Sequence, residues 1–257
     1  MKGDGTRGNL LGNRLVFNLT PKTSSSSPPF QSSSSDSTLV TRLLTSKSKT
    51  QESCGVSYSQ DGVPMVEFVF TFGDMDRNDL RGGFTYPASN AHVQAPTTDP
   101  TDPKMVDYSK LLDQQMGEYL PIAKHHKFIV DPTDPSCTVY QKHATGVSNC
   151  ESRLTGWGGY ADGKPIEGKD LAFLMDAFPP PVLSQNPTSW VPTIFYNVSF
   201  FSKPQPSTSL CRMDFQTRVA KNGVVECDGI VWDEEGNVCA TSRQMARVWD
   251  PNGKGKK

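Results

Sequence analysis

The feature that most constrains the fold is a helix-like segment, residues 166–178, whose apolar part, 171–178, ends directly before three consecutive prolines. Its large apolar side chains recur at the spacing of a helix: Leu171, Leu174, Met175 and Phe178. Asp170 occupies the position of an N-cap, and proline cannot continue a helix because it lacks the backbone N–H. The segment is therefore predicted to form a short helix that is hydrophobic on all sides and enclosed by its domain.

The chain after the prolines has the alternation typical of antiparallel strands. The predicted strands cover residues 193–200, 211–220, 224–232 and 238–249. Asn222 and Gly223 form the turn between the second and third of these, because Asn-Gly readily supplies the positive φ angles of a tight hairpin. One helix followed by an antiparallel meander predicts an α+β domain whose sheet curls over the helix.

The first half of the chain has a different residue pattern, with short β-like runs separated by polar segments. Its β-like runs cover residues 39–45, 53–60 and 65–72, and Asp61-Gly62 supplies the turn between the last two. The serine-rich stretch 23–37 has too little apolar surface to offset the entropy of ordering, so we expect disorder there. Residues 74–103 are rich in Gly, Asn, Pro and Thr and are interpreted as a loop or linker, followed by a short helix over 108–119.

Charge and hydropathy exclude several classes of function. The chain has 26 basic and 27 acidic residues, so no global field favours nucleic acid or an anionic membrane. No apolar run approaches the roughly 20 residues that a membrane-spanning helix needs. Residues 1–13 lack the apolar core of a secretory signal, which favours an intracellular protein, cytoplasmic or peroxisomal. The C-terminus is not a peroxisomal tripeptide of the S-K-L type.

The cysteines and histidines do not indicate a metal site or disulfides. The six cysteines show neither C-x-x-C nor Cys/His zinc spacing, so we expect free thiols that pack as small apolar groups. His125 and His126 are adjacent in a polar stretch and are interpreted as solvated loop residues rather than ligands. No glycine loop of the Walker or dinucleotide-binding type is present, so no cofactor is predicted.

Asp176 is the polar exception within the apolar helix, and two interpretations of it remain open. An ionised carboxylate in such surroundings costs free energy unless it is paired, so it either bonds to loop amides and water or has a catalytic role. Gln244 is predicted to point inward from the last strand, where an ordinary bond to backbone is the alternative to a functional one. Thr193, at the start of a strand, says almost nothing by itself.

Four segments, residues 39–75, 162–183, 189–204 and 228–248, together resemble the acyl-CoA thioesterases of the thioesterase II type, whose chains pair two hotdog folds. Residues 162–183, 189–204 and 228–248 are similar to the C-terminal hotdog, and 39–75 resembles the later strands of the N-terminal one. The resemblance implies an α+β double hotdog, each fold an antiparallel sheet wrapped around a central helix, with the first one truncated. The expected domains are 1–37, disordered or atypical; 38–103, a partial N-terminal hotdog and linker; and 104–257, the C-terminal thioesterase-like hotdog.

The resemblance also implies an activity and its residues. Thioesterases of this type hydrolyse acyl-CoA to free fatty acid and CoA, with no metal or organic cofactor. Their helix Asp matches Asp176 in LMDAF, their strand Thr matches Thr193, and their Gln matches Gln244 in ATSRQ. These side chains are implied to hold and polarise a water that attacks the thioester carbonyl. A Ser/His/Asp hydrolase is disfavoured, because there is no G-x-S-x-G and no histidine follows His143.

The N-terminal residues depart from the family pattern. The first strand and central helix of a hotdog are expected where residues 1–37 are polar and serine-rich. A sheet without its helix exposes an apolar face, which favours homo-oligomerisation. Two alternatives to the enzyme follow: a non-catalytic hotdog that binds an acyl chain or acyl-CoA, and a purely structural fragment.

Overall fold

The computed structural model describes residues 11–19, 37–45, 51–73, 99–110, 121–131, 133, 152–184 and 189–249. The strands of the first half are β1 Leu11–Leu19, β2 Ser37–Thr45, β3 Gln51–Gln60 and β4 Val63–Gly73. Those of the second half are β5 Val106–Asp107, β6 His126–Val130, β7 Arg153–Tyr160, β8 Thr193–Phe200, β9 Leu210–Lys221, β10 Val224–Trp232 and β11 Val238–Arg247. Helix α1 is Asp170–Ala177, and 3-10 turns cover Pro121–His125 and Pro181–Ser184.

All these strands form one antiparallel sheet in the order β2-β3-β4-β1-β8-β11-β10-β9-β7-β6-β5. The two halves of the chain meet where β1 pairs with β8, with Phe17 opposite Tyr196. Strand β1 lies within the segment 1–37, which was expected to be disordered or atypical, and no strand was predicted there. The predicted disorder over 23–36 lies outside the described residues, whereas Ser37 begins β2.

Both predicted hairpin turns are confirmed. Asn222 and Gly223 have φ angles of 54° and 75° between β9 and β10. Asp61 and Gly62 have φ angles of 51° and 74° between β3 and β4. The left-handed conformation that Asn, Asp and Gly tolerate is therefore used in each half to reverse the chain between paired strands.

Helix α1 is shorter than predicted and begins differently. The backbone N–H of Ile166 donates to Thr208 O at 2.8 Å, which holds this residue against the loop before β9 instead of in the helix. Lys169 is the N-cap, without a side-chain cap bond, so the prediction for Asp170 was wrong. The Asp170 carboxylate instead accepts from the Glu167 N–H at 2.9 Å. The C-terminal stop is confirmed, since α1 ends at Ala177 and Pro179 follows shortly after.

The core lies between α1 and the inward face of the second-half sheet. Leu171, Leu174 and Met175 are buried against side chains of β6 to β11. The opposite face of α1 is open: Phe173 is 42% exposed, and Asp176 also reaches solvent. The prediction that its domain encloses the helix is therefore confirmed for the face that packs on the sheet and wrong for the opposite face.

Other predictions have mixed outcomes. Tyr108–Lys110 are helical, and the rest of 108–119 lies outside the described residues, as do 74–98 of the predicted linker.

Four cysteines are free thiols, Cys54, Cys211, Cys227 and Cys239, while Cys137 and Cys150 lie outside the described residues. His125 is exposed, but His126 is 1% exposed in β6, so the solvated-loop prediction was wrong for it. Among the described segments, no helix has the length and apolar character needed to span a bilayer.

Candidate functional site

Three polar side chains from separate elements converge beside the open face of α1. Asp176 lies one residue before the end of the helix, Thr193 is the first residue of β8, and Gln244 lies on β11. The alternation of β11 directs Gln244 to the same side as Ala240 and Ala246, both buried, while Arg243 and Met245 face solvent. The structure thus brings together all three residues that the sequence singled out.

The Gln244 side chain bridges the other two. Its Nε2 donates to Asp176 Oδ1 at 2.8 Å and to Thr193 Oγ1 at 2.6 Å. A primary amide has two N–H groups, so both donors of Gln244 are used in this bridge. The amide therefore fixes the carboxylate of the helix and the hydroxyl of the strand relative to each other, although Gln244 is 68 residues from Asp176 and 51 residues from Thr193 in sequence.

The start of β8 is held in place by the end of β11. Arg247 N donates to Pro192 O at 2.9 Å, directly before Thr193. The pairing of β8 with β11 is irregular between Met245 and Ala246, where the register shifts. Such irregularities change the direction in which neighbouring side chains point. Here the register shift lies between the pair formed by Gln244 and Tyr196 and the pair formed by Ala246 and Thr193.

The Asp176 carboxyl has a raised pKa. The main cause is desolvation by the protein beneath it, and the hydrogen bond from Gln244 acts in the opposite direction. The C-terminal end of α1 adds unfavourable dipole potential for an anion. The side chain nevertheless remains reachable from solvent. Asp176 is therefore a partly dehydrated carboxylate at an open surface, where a small molecule can approach it.

Tyr196 supports the site from below. It is 3% exposed, pairs with Gln244 across the β8–β11 ladder, and donates its hydroxyl to Ala172 O of α1 at 2.8 Å. Burial, and then the charge of Asp176, raise the pKa of the Tyr196 phenol well above its usual value. This neutral phenol ties the helix that carries Asp176 to the strand that carries Thr193. The alternation of the sequence predicts that Tyr196 lies on one face of its strand, but no sequence signal indicates a role for it at the site.

The bridge leaves specific polar atoms available to a ligand. Asp176 Oδ2 and the Thr193 hydroxyl hydrogen are not engaged by any residue that the structure describes. One can accept a hydrogen bond and the other can donate one, so the pair can orient a water molecule. No group of three or more His, Cys, Asp or Glu side chains in the described parts of the chain is arranged to hold a metal ion.

The fold and this site define a class of protein: a hotdog protein with an acid, an amide and a hydroxyl at the open face of its central helix. The profile of the acyl-CoA thioesterase C-terminal domain family matches residues 110–248, which is more than half of the chain. The chain therefore belongs to this family of thioester hydrolases. Comparison with curated protein sequences found no significant match.

Solved structures share the fold. A protein from Thermobifida fusca YX, described as a candidate thioesterase II, has a TM-score of 0.66 at 17% identity, covering 93% of this chain and 79% of its own. A hot dog protein from Alicyclobacillus acidocaldarius gives 0.60 at 15% identity, with 96% and 82% covered. An acyl-CoA thioesterase II from Mycobacterium marinum gives 0.57 at 11% identity, with 95% and 82% covered. The hotdog architecture expected from the sequence is confirmed.

Proposed function

We propose that the protein hydrolyses acyl-CoA thioesters to a free fatty acid and CoA, with a water activated by Asp176, Thr193 and Gln244. The observation that carries the proposal is the Gln244 bridge, which holds a carboxylate and a hydroxyl at 2.8 Å and 2.6 Å from one amide nitrogen. Membership in a thioesterase family supports the reaction class. The acyl-CoA substrate and the roles of the three residues are proposed here from this geometry.

The first step is attack by water on the thioester carbonyl carbon. Asp176 Oδ2 accepts one hydrogen of the water, and the Thr193 hydroxyl donates to its oxygen, which leaves a lone pair for the carbonyl. As the C–O bond forms, the water proton moves to Asp176 and the carbonyl oxygen becomes an oxyanion. The raised pKa of Asp176 makes it a better proton acceptor than an ordinary carboxylate.

The second step is loss of the thiol. The tetrahedral intermediate re-forms its C=O bond and breaks the C–S bond, and the leaving sulfur takes the proton from Asp176. The products are a carboxylic acid and a thiol, and Asp176 is ionised again. A thioester needs an oriented water more than a covalent nucleophile, because its acyl group is already activated.

Gln244 acts by positioning rather than by proton transfer. A primary amide is not basic, so Gln244 cannot take the water proton, and its two N–H groups instead hold Asp176 and Thr193. Its hydrogen bond also favours the ionised form of Asp176, and so lowers the pKa that burial raises. Removal of the Gln244 amide is therefore expected to have two effects at once: it frees Asp176 and Thr193 to move relative to each other, and it raises the pKa of Asp176.

The test is thiol release from a panel of acyl-CoAs of different chain lengths, measured with a thiol reagent. We expect turnover by the native protein and at least 100-fold less by Asp176→Asn, since positioned general bases contribute about 10²–10⁴ in rate. Tight acyl-CoA binding without turnover by the native protein would contradict hydrolysis and would favour the alternative, a binding hotdog. Unchanged turnover in Asp176→Asn would overturn the assigned base.

A further inference from the structure

The open face of α1 continues away from Asp176 as an aromatic surface. Phe173 lies three residues before Asp176, which places both side chains on one face of the helix, separated by about 4.5 Å along its axis. The Phe173 ring lies 4.7 Å from the His126 ring and 6.3 Å from the Tyr160 ring, measured between centroids. An apolar surface thus leads from the carboxylate towards β6 and β7.

This aromatic surface borders a pocket of about 370 Å³ with basic walls. The pocket is lined by Lys110, Lys124 and Lys127, with His126 shared between the pocket and the aromatic cluster. Asp107 is the carboxylate in the lining, and it pairs with Lys110 at 3.7 Å. The pocket is therefore positively charged overall, within a chain whose total charge is close to neutral.

Two of these lysines are available to an external anion. Lys124 and Lys127 form no ion pair with any residue in the described parts of the chain. They are three residues apart, on the 3-10 turn and the first part of β6, and they face the same pocket. A lysine ammonium recognises phosphate as a point charge with rotatable donors, and adjacent lysines without carboxylate partners favour a polyanion.

We propose that this lysine pocket binds the phosphate groups of CoA, while the exposed ring of Phe173 packs against the pantetheine arm. The inference rests on the proposed function, because it assumes that the thioester carbonyl lies at Asp176. In acyl-CoA a long apolar and amide chain separates the thioester from the phosphates. The order Asp176, Phe173 and the lysines along the surface matches the order carbonyl, pantetheine and phosphate along this substrate.

The decisive comparison uses two substrates that differ only in the phosphate end. Acyl-CoA and the matching acyl-pantetheine, which has no phosphates, are hydrolysed by the native protein and by Lys124→Gln/Lys127→Gln. The control is Lys203→Gln/Lys221→Gln, which removes the same charge from exposed positions outside the pocket. Thermal melts establish that each variant is folded.

We expect the pocket variant to lose about tenfold in kcat/KM towards acyl-CoA, as expected for weakening hydrogen bonds to a charged group. Its kcat/KM towards acyl-pantetheine should stay at the native value, and the control should match the native protein on both substrates. Equal losses on the two substrates, or no loss on acyl-CoA, would overturn the proposal.

Binding separates this proposal from the hydrolase proposal. Calorimetric titration with free CoA and with pantetheine needs no turnover. Native protein should bind CoA more tightly than pantetheine, and Lys124→Gln/Lys127→Gln should bind the two alike. Equal binding of CoA and pantetheine by the native protein would refute the pocket even if acyl-CoA is hydrolysed. Preferential CoA binding without thiol release would support the pocket and refute the hydrolase.

Discussion

If Asp176 is the general base of the proposed hydrolysis, its replacement by asparagine separates catalysis from stability. Asparagine keeps the shape of the side chain and an oxygen that can accept from Gln244 Nε2, now 2.8 Å from Asp176 Oδ1. It removes the negative charge and the proton acceptor. A catalytic carboxylate that is partly dehydrated is a cost to the fold, so its neutral analogue should be inactive without being less stable.

The two free-energy changes can be compared. Loss of a positioned general base lowers kcat by about 10²–10⁴, which corresponds to about 2.7–5.5 kcal/mol of transition-state stabilisation. For stability, removing a dehydrated charge is favourable, and replacing a charged acceptor by a neutral one costs about 1 kcal/mol. The free energy of unfolding of Asp176→Asn should therefore be equal to or higher than that of the native protein. In a chain of this size, each kcal/mol of added stability raises Tm by about 2–4 °C.

The pH dependence of this stability has a definite sign. Because folding raises the pKa of Asp176 above its ordinary value of 3.8, the native state binds the proton more tightly than the unfolded state. The native protein therefore loses stability as pH rises from that value through the raised pKa, whereas Asp176→Asn does not. Thermal melts of both proteins between acidic and neutral pH, together with kcat by thiol release, measure the two effects.

A clear result would refute this reasoning. If Asp176→Asn unfolds more easily than the native protein at neutral pH, the carboxylate stabilises the fold and its role is structural. If its kcat is within a fewfold of the native value, Asp176 is not the base. Asp176→Glu is the matched control, because it keeps the negative charge but moves the carboxylate by one methylene group. Its stability should change with pH in the same direction as that of the native protein, but it should lose turnover because the carboxylate is misplaced.

The remaining predictions concern the neighbours of Asp176 and the sheet. Thr193→Val should lower kcat about 10- to 100-fold while Thr193→Ser keeps most of it, because the proposed mechanism needs the hydroxyl and not the methyl group to orient the water; steady-state kinetics decide this. Gln244→Ala should raise the apparent pKa of the acidic limb of the kcat/KM profile, since the amide lowers the pKa of Asp176; a native-like limb would refute the bridge. Gly156→Ala should lower stability by about 1–3 kcal/mol in a denaturant titration, because its Cβ would lie 2.3 Å from Ile129 O.

The second half of the fold could be predicted because local signals and hydrophobic pattern agree there. Strand β10 has the predicted bounds, and its hairpin at Asn222 and Gly223 has the predicted φ signs. Strand β1 could not be predicted in this way. It has no turn signal that fixes its partners, and its place between β4 and β8 depends on pairings with strands distant in sequence.

Asp176 and Gln244 were found by residue type and Thr193 by the family resemblance, whereas the environment of these candidate residues was not predicted. Asp176 and Gln244 were singled out because a charged or amide group in an apolar pattern needs a partner, and each proved to be the partner of the other. The open face of the helix was missed, since an apolar side chain such as Phe173 can pack on the core or remain exposed at 42%. His126 was predicted to be solvated because its neighbours in the sequence are polar, but it occupies a buried position in β6.

The most direct test of water activation by Asp176 is a single turnover in water enriched in oxygen-18, followed by mass spectrometry of both product and protein. If Asp176 acts as the base, the label from solvent enters the carboxylic acid product, and the peptide that contains Asp176 stays unlabelled. Label in that peptide, with an unlabelled acid from the first turnover, would mean that the carboxylate attacks the thioester itself. That result would contradict the claim that Asp176 activates a water molecule.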